Sequence, residues 1–325
     1  MVHGFVNPAG KNGILKNKWG NVASCPYKDL YKMKKREWSN GIAEWTDGNT
    51  AFVSSVFSWN AQNAFMRCVH YRSLGYYVRA GGQSVYQFPK MFSEFDTSGE
   101  VDALSRHNKY AVFTSRGCIR NCTFCLVPKM EGKLIELDDW AAKPIICDNN
   151  LLATSWNHFD KVIDKLLKNE ITGIDFNQGL DARLLTISHA KRLAELPKDT
   201  LIRLAWDHIK NEREFMGAFN SLVSSGIRPH QIRAYVLIGY IDTPEDALYR
   251  LEKIRSLGAL PNPMRYQPLD AKKKNSYIGQ GWTERELMDY MRYYSKLNWL
   301  GHIQFKEYQS AKKLTTKNES QLELL

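Results

Sequence analysis

From Tyr110 onward, short apolar runs alternate with longer amphipathic segments. The apolar runs occupy residues 110–115, 143–148, 173–178, 201–207, 232–239 and 263–269. The intervening segments, such as HFDKVIDKLLKN and PEDALYRLEKIRSLG, repeat their apolar residues about every 3.6 positions, which predicts helices. Six strand–helix repeats in this order predict a parallel sheet with right-handed crossovers, in a partial (β/α)6 barrel of the TIM type or an open sheet.

The flanking segments follow other patterns. A strand at 51–57, a helix at about 60–74 and a strand at 76–79 predict one βαβ unit of a Rossmann-like domain. The polar and basic stretch at 10–48 predicts no element. After the repeats, Thr283 and Glu286 form a capping box that predicts a helix. We therefore expect three parts: a small Rossmann-like α/β domain at 1–109, the repeat region at 110–270 and a short, mainly helical extension at 271–325.

Polar residues follow most of the predicted strands. They are Asp148, Asn149 and Asn150, then Asn177, Gln178, Asp181 and Arg183, then Asp207 and His208, then Gly239 and Asp242. In parallel α/β folds the chemistry gathers at the carboxyl ends of the strands. These residues are therefore expected to surround one site.

The first strand–helix loop holds three of the six cysteines, in TSRGCIRNCTFC, with the spacing C-x3-C-x2-C. Six cysteines in 325 residues do not form a disulfide framework, and a cluster of them points to metal binding or catalysis. Thiolates suit zinc or iron–sulfur clusters. A structural zinc site needs four ligands, and neither Cys25, Cys68, Cys147 nor any histidine lies at zinc-finger spacing. A cubic 4Fe-4S cluster held by three cysteines keeps one iron open for another molecule.

The cysteine spacing, the aromatic Phe124 before the third cysteine and the place of the motif in the first loop of a β/α chain resemble the radical S-adenosylmethionine superfamily. The resemblance implies that Cys118, Cys122 and Cys125 hold a 4Fe-4S cluster. S-adenosylmethionine then chelates the fourth iron through its amino and carboxylate groups, and one-electron reduction yields a 5′-deoxyadenosyl radical that abstracts a substrate hydrogen. An external reductant of the flavodoxin or ferredoxin type is implied. Phe124 is expected to shield the cluster or to lie near the adenine.

The same resemblance suggests further cofactor-binding residues. The stretch YVLIGYIDTPEDALYRLEKIRSLG is similar to the family's fifth strand and helix, so Gly239 would let the backbone approach the adenine, and Thr243 would cap the helix. Many members hold the methionine amine with Gly-Gly-Glu after the second strand. This chain has CDNN there, so Asp148 or Asn149 would take that role. Arg183 would meet the cofactor carboxylate, or else is an exposed arginine at a helix start.

The chain also resembles phage and prophage members of this superfamily, through IICDNNLLAT, IDFNQGLDARLL and LPNPMRYQPLD. Its first part resembles a degenerate form of the cobalamin-binding domain that precedes some radical enzymes. The D-x-H-x-x-G sequence for a cobalt-ligating histidine is absent. Cobalamin binding and a purely structural domain are therefore the two interpretations of residues 1–109.

Two residues are candidates for catalysis. His208 follows the fourth strand and is placed for acid–base work or substrate contact, with a packed or capping role as the alternative. Cys147 lies beside the expected site and is a candidate relay or second-cluster residue, with a buried core position as the alternative. Cys25 and Cys68 are expected to be small buried residues.

The charge distribution bears on partners. The net charge of +11 divides into +6 for residues 1–109, +1 for 110–270 and +4 for 271–325. Basic flanks, nine tryptophans and sixteen tyrosines suit nucleic-acid phosphates and bases, although ordinary solvated lysines give the same composition. The sequence has no apolar run long enough for a membrane span and no secretory signal pattern, so we expect a cytoplasmic protein without membrane contact.

Three functions compete at this level. The first is a radical enzyme that modifies a nucleobase in DNA or RNA, including hypermodification of phage DNA. The second is a radical enzyme that acts on a small metabolite or peptide, including cobalamin-dependent methylation or methylthiolation. The third is a non-catalytic iron–sulfur or zinc module. The resemblance to phage proteins favours the first.

Overall fold

The computed structural model describes residues 38–99 and 101–311, and within them the fold is mixed α/β. The elements, in chain order, are β1 Ile42–Asp47, β2 Thr50–Ser55, α1 Ala61–Ser73, β3 Tyr77–Gly81, α2 Gln83–Gln87, α3 Leu104–His107, β4 Ala111–Val112, β5 Ser115–Arg116, α4 Val127–Met130, β6 Ile135–Glu136, β7 Ile145–Ile146, α5 Trp156–Lys168, β8 Asp175–Phe176, α6 Ile187–Ala194, β9 Ile202–Ala205, α7 Glu212–Ser224, β10 Ile232–Ile238, α8 Pro244–Ser256, β11 Leu260–Arg265, α9 Glu284–Ser295 and α10 Leu297–Leu300.

The predicted strands of the repeat region pair in parallel and in chain order. β4, β7 and β8 form one set, and β9, β10 and β11 form another. Two isolated parallel bridges, Asp175–Leu201 and Leu180–Leu204, join the sets. The parallel arrangement is therefore confirmed, with regular pairing of only two residues in each of the first three strands.

The last strand begins earlier than predicted. β11 starts at Leu260 rather than at residue 263. Pro261 and Pro263 interrupt the apolar pattern there, so the sequence hides the first half of the strand. The strand lies at the end of its set and pairs with β10 alone, and an edge position tolerates proline because no second neighbour needs its missing N–H.

The predicted helices form between these strands and cover the sheet with their apolar faces. The hydroxyl of Thr243 accepts from the backbone N–H of Asp246, and Thr283 forms the expected capping box with Glu286. Both predicted N-caps are confirmed. Helix α9 of the C-terminal extension adds Leu287, among other residues, to the same core as the sheet.

The βαβ unit near the N-terminus is also confirmed, since β2 pairs in parallel with β3 and α1 connects them. Strand β1, which pairs antiparallel with β2, was not predicted. Its two-residue turn is Gly48–Asn49, with Gly48 at φ 54°. A glycine between two alternating runs is a hairpin signal that the surrounding polar residues obscured. Cys68 is fully buried in the core of this unit, as expected, whereas Cys25 and residues 1–37 lie outside the described residues.

No helix in the described part of the chain is both long and apolar enough to cross a bilayer.

A buried ion pair ties α8 to the carboxyl ends of β9 and β10. The side chain of Arg250 is fully buried and donates to Asp242 Oδ2 at 2.6 Å. It also donates to the carbonyl oxygens of Trp206 at 2.9 Å and Leu237 at 3.1 Å. These hydrogen bonds therefore attach α8 to the ends of both strands. They stabilise the edge of the sheet where the candidate site lies.

Replacing Arg250 with methionine is expected to lower the free energy of unfolding by about 3–5 kcal/mol, because the buried Asp242 carboxylate loses its partner. Urea denaturation at neutral pH measures the change. The control is Arg213→Met, since that side chain is 93% exposed and its loss is expected to cost less than about 0.5 kcal/mol. Equal stabilities of the two variants would contradict the structural role of the pair.

Candidate functional site

The three clustered cysteines lie in a loop that is closed at its base by a short antiparallel pairing. β5, just after β4, pairs with β6, and the segment between them is the cysteine loop, residues 117–134. Gly117 opens the loop at φ 73°, and a Cβ atom there would lie 2.1 Å from the carbonyl oxygen of Lys133. The loop therefore requires glycine at this point, both for its backbone angle and for the close approach of the two chain segments.

Asp148 anchors the start of this loop to the end of β7. Its buried carboxylate accepts hydrogen bonds from the backbone N–H groups of Thr114 at 2.5 Å and Ser115 at 3.1 Å, and from the Thr114 hydroxyl. Burial raises the pKa of Asp148, and these hydrogen bonds oppose that rise. The carboxylate predicted to bind the cofactor amine is thus already engaged with the protein backbone.

Glu131 holds the loop from its other end. Its Oε2 atom accepts hydrogen bonds from the backbone N–H of Gly117 at 2.9 Å, from Arg116 Nε at 2.8 Å and from Asn149 Nδ2 at 2.7 Å. One carboxylate oxygen therefore joins the loop entrance to the end of β7. Asn149, the other residue predicted to bind the amine, uses its amide N–H in this contact.

Asp181 is the centre of a second hydrogen-bond network, which lies beside Cys118. It accepts from Arg120 Nε at 2.9 Å, and Arg183 binds both carboxylate oxygens, at 2.7 and 3.0 Å. Burial raises the pKa of Asp181, but the hydrogen bonds from Arg183 and Arg120 outweigh it, so the pKa lies below its usual value. Asn150 Nδ2 contacts both Asp181 Oδ2 at 3.4 Å and Cys118 Sγ at 3.7 Å.

Asn150 carries a buried acceptor without a donor. Its side-chain Oδ1 atom has no hydrogen-bond partner among the described residues, although the residue is only 3% exposed. A buried carbonyl oxygen in this state costs free energy unless another group supplies the donor. A bound group that reached this atom with a donor would remove that cost.

The three thiols are half-buried, and none forms a disulfide. Burial raises the pKa of Cys122 and of Cys125, and the three sulfur atoms are near enough for their charges to interact. Within residues 38–99 and 101–311, no three histidine, cysteine or acidic side chains converge on a point suitable for a single metal ion. The role of these cysteines as cluster ligands stays a prediction.

Asp207, at the end of β9, faces this group without a hydrogen-bond partner among the described residues. Burial raises its pKa to about 6, and the positive charges of Arg250 and Arg183 oppose the rise. Its charge also acts on Cys122, which places it on the same side of the sheet as the cysteine loop. An ionisable carboxylate here is available to a bound molecule.

An aromatic contact connects the cysteine loop to the end of β10. The Phe124 ring meets Tyr240 edge-on, with centroids 5.7 Å apart, and the hydroxyls of Thr123 and Tyr240 are 2.6 Å apart. Gly239 precedes Tyr240 at φ 77°, and its N–H donates to Asp242 Oδ1 at 2.8 Å. The structure thus brings Phe124 and Gly239, both predicted to bind the cofactor, to neighbouring positions.

The two candidate catalytic residues have structural contacts. His208 caps a short 3-10 turn, with its Nδ1 atom accepting from the backbone N–H of Lys210 at 3.0 Å. Cys147 is 1% exposed and packs with Ala111 and Ile145, and burial raises its pKa to about 12. A thiol with that pKa is protonated at neutral pH and is a poor nucleophile. These contacts fit the alternative roles, a capping histidine for His208 and a buried core position for Cys147. The catalytic roles of both residues stay predictions.

Sequence reasoning assigned no individual role to Glu131, Asn150, Asp181 or Asp207, although the last three were among the residues expected to surround the site. Three of them follow predicted strands, and that position was the available signal. The role of each of these residues depends on partners in other loops. Spacing along the chain does not reveal those partners. Glu131 lies within the cysteine loop and gave no signal of its own.

No protein-family model matches this chain, and no curated protein is significantly similar to it.

Gly117→Ala is expected to lower the free energy of unfolding more than Gly132→Ala does. Both glycines have the same backbone angle, at φ 73° and 75°, but a Cβ atom at position 132 meets no atom within 4 Å. The control is expected to cost about 1 kcal/mol for the backbone angle alone. Gly117→Ala is expected to cost at least about 2 kcal/mol more, because the loop must open around Lys133.

Urea denaturation measures both changes, and alkylation of the thiols reports whether the loop has opened. We expect faster alkylation in Gly117→Ala only. Equal costs and equal alkylation rates for the two variants would contradict the close approach at Gly117.

Asp207→Asn is expected to stabilise the metal-free chain near pH 8 and to change little near pH 4. The folded chain holds the Asp207 proton more tightly than the unfolded chain, since its pKa is about 6 against an ordinary value of 3.8. Stability therefore falls as the pH rises from about 4 to 6, and asparagine removes this loss. The gain near pH 8 is expected to be on the order of 1–3 kcal/mol, since one pKa unit corresponds to about 1.4 kcal/mol.

Denaturation of both proteins across this pH range measures the difference. Asp139→Asn serves as the control, because that side chain is 96% exposed and its loss is expected to have no comparable pH dependence. A destabilisation of Asp207→Asn that is the same at both pH values would refute the raised pKa.

Proposed function

We propose that this chain is a radical S-adenosylmethionine enzyme that acts on a nucleobase. The observation that carries the proposal is the cysteine loop itself. Three free thiols at C-x3-C-x2-C spacing follow the first strand of a parallel series, and the polar residues after the second and third strands bind to that loop. Chemistry in parallel α/β folds gathers at this edge.

The donor set fits an iron–sulfur cluster better than zinc. Each thiolate of a cubic cluster binds a different iron, so the sulfur atoms surround the cluster without converging on one ion. A structural zinc ion needs four ligands, and this loop supplies three cysteines. We therefore assign Cys118, Cys122 and Cys125 to a 4Fe-4S cluster.

The order of the strands supports a partial (β/α)6 barrel as the scaffold. Six parallel strands, β4, β7, β8, β9, β10 and β11, follow one another in space as they do in sequence. This order lines up their carboxyl ends around one site. An enzyme of this class needs such an arrangement to hold the cofactor and the substrate together.

When bound, the cluster and S-adenosylmethionine would supply the 5′-deoxyadenosyl radical that abstracts a hydrogen atom from the substrate, with electrons from an external reductant of the flavodoxin or ferredoxin type. The contribution of the protein is to bind, orient and shield these groups. We also propose a cytoplasmic location, because a reducing compartment keeps the three thiols free.

Asn150 is the residue that best fits the methionine amine. Its buried Oδ1 atom lacks a donor among the described residues, and an ammonium group would provide one. Asp148 takes part by fixing the loop, since its carboxylate already accepts three hydrogen bonds. Arg183 keeps its Nη1 group free of hydrogen bonds to described residues, so it can still bind the cofactor carboxylate.

On the opposite side of the loop, Gly239 and Phe124 suit the adenine. Gly239 adopts φ 77° at the end of β10, a conformation that favours glycine, and its packing against Leu287 leaves no room for a Cβ atom. The rings of Phe124 and Tyr240 would cover this part of the site once the cofactor is bound. Exclusion of water protects a reactive intermediate from side reactions.

Anaerobic reconstitution is expected to give a brown protein with about four irons per chain, as a three-cysteine 4Fe-4S site requires. Cys122→Ala is expected to lose most of this iron and all production of 5′-deoxyadenosine from added S-adenosylmethionine and dithionite. Iron analysis and chromatography of the nucleoside measure both.

The matched control is Cys68→Ala, which removes a buried thiol from the core of the N-terminal unit and is expected to keep the iron and the activity. A colourless protein loaded with zinc would overturn the proposal. Comparison of nucleosides and metabolites from cells with the active protein and with Cys122→Ala separates a nucleobase substrate from a small metabolite or peptide, including cobalamin-dependent methylation.

A further inference from the structure

A cavity of about 340 Å³ adjoins the cysteine loop, between the N-terminal unit and the loop that follows β11. Its wall includes Tyr86 from α2, Thr123 and Lys129 from the cysteine loop, and Tyr266 and Asp270 from the loop after β11. The volume lies in the range of about 300–1,000 Å³ that small-molecule sites occupy. Because Thr123 lies between Cys122 and Cys125, a molecule in this cavity would be next to the proposed cluster.

Hydrogen bonds between its walls hold the cavity open. The Tyr86 hydroxyl donates to the carbonyl oxygen of Lys129 at 2.8 Å, which joins α2 to the cysteine loop. The buried Ser58 hydroxyl donates to the carbonyl oxygen of Ala271 at 2.8 Å, which joins the N-terminal unit to the loop after β11. The cavity is therefore formed before any ligand binds, and its shape depends on both parts of the chain.

Aromatic rings continue from the cysteine loop to the cavity wall. Tyr240, which contacts Phe124, also contacts Tyr266 with ring centroids 4.5 Å apart. Tyr266 in turn meets Tyr277 edge-on at 5.1 Å. Tyr86 contributes a ring that is 46% exposed on the other side of the cavity. Exposed aromatic rings stack on nucleobases, and this contact tolerates any base.

The polar groups of the cavity match the edge of a base. Gln87 offers an amide with both a donor and an acceptor, and Asp270 offers a carboxylate. Neither side chain makes a hydrogen bond with any described residue. Nucleobases present amino, imino and carbonyl groups in combination, which such a pair can bind. The carboxylate disfavours a phosphate inside the cavity, so the phosphates of a bound nucleotide would lie outside.

Three lysines directly outside the cavity carry positive charge. Lys272, Lys273 and Lys274 come two to four residues after Asp270, are exposed and form no ion pair with a described residue. Their loop has a fixed shape, because Asn275 at φ 60° donates its backbone N–H to Gln267 Oε1 at 2.9 Å. Free lysines on a fixed loop provide point charges for consecutive phosphates.

We propose that this surface binds a single strand of nucleic acid, with one base in the cavity against Tyr266 and Tyr86 and the neighbouring phosphates on Lys272–Lys274. A single strand fits because a base paired inside a duplex cannot enter a concave pocket. The identity of the base as the substrate rests on the proposed radical function. The binding of the strand does not, and it can be measured by itself.

Fluorescence anisotropy with labelled oligonucleotides of about 12 nucleotides tests the binding on the full chain. We expect the single strand to bind more tightly than the duplex, and parallel titrations of DNA and RNA with the same sequence identify the natural backbone. The titration is repeated over a range of salt concentrations. The Lys272→Gln, Lys273→Gln, Lys274→Gln triple variant is expected to reduce the salt slope by about 2, because each phosphate contact on a single strand contributes about 0.7.

A second triple variant with the same charge loss is the control. Lys168, Lys191 and Lys198 are exposed and lie on the segments that lead into β8 and β9, at the opposite end of the sheet. Their replacement by glutamine is expected to leave the slope unchanged. Equal losses in the two triple variants would show that only net charge matters and would overturn the site.

The stacking contact has its own test. Tyr266→Leu is expected to weaken binding of the single strand about tenfold at constant salt, without a change in the salt slope. Tyr77→Leu removes another exposed tyrosine, on β3, and is expected to have no effect. No loss in Tyr266→Leu would refute the base position.

The outcomes separate this proposal from the proposed function. A chain that binds about four irons but no oligonucleotide at low salt, or binds the duplex more tightly than the single strand, would refute the strand site alone. A chain that binds the single strand as described but takes up no iron would refute the radical chemistry and leave the strand site in place.

Discussion

Asp148 accepts hydrogen bonds from the backbone N–H groups of Thr114 and Ser115, and this contact fixes the direction in which the chain leaves β4. The position of the cysteine loop depends on this direction, because the loop begins directly after β5. Glu131 completes the restraint by binding Gly117 and Asn149. These two carboxylates therefore position the loop that carries the three thiols, although the regular strands at its base are short.

Charged groups are arranged so that the site stays balanced. Asp181 is paired with two arginines and Asp242 with the buried Arg250, so each of these strand ends carries compensated charge. Asp207 is the exception, because no described residue bonds to it and its pKa rises to about 6. Ionisable groups with shifted pKa values cluster at functional sites, which makes Asp207 a candidate for contact with a bound molecule.

The alternation of strands and helices could be predicted because each element shows its own apolar period. The two N-caps at Thr243 and Thr283 were also local, since a cap involves only residues within one turn. The elements that the sequence did not predict were also missed for local reasons. Proline residues concealed the start of β11, and polar neighbours concealed β1 and its glycine turn. Both are positions where an edge strand accepts residues that a central strand excludes.

The sequence by itself determined the spacing of the three cysteines and their place after the first strand, because both are properties of consecutive residues. Only the tertiary structure decided which strand-end residues serve the loop and which remain available to a ligand. Asp148 was predicted to bind the cofactor, but folding brings it against backbone N–H groups on a neighbouring strand. Asn150, two residues further, keeps a buried oxygen that accepts no hydrogen bond from the described part of the chain. The difference arises because adjacent residues point in different directions, and their partners lie on strands far apart in the chain.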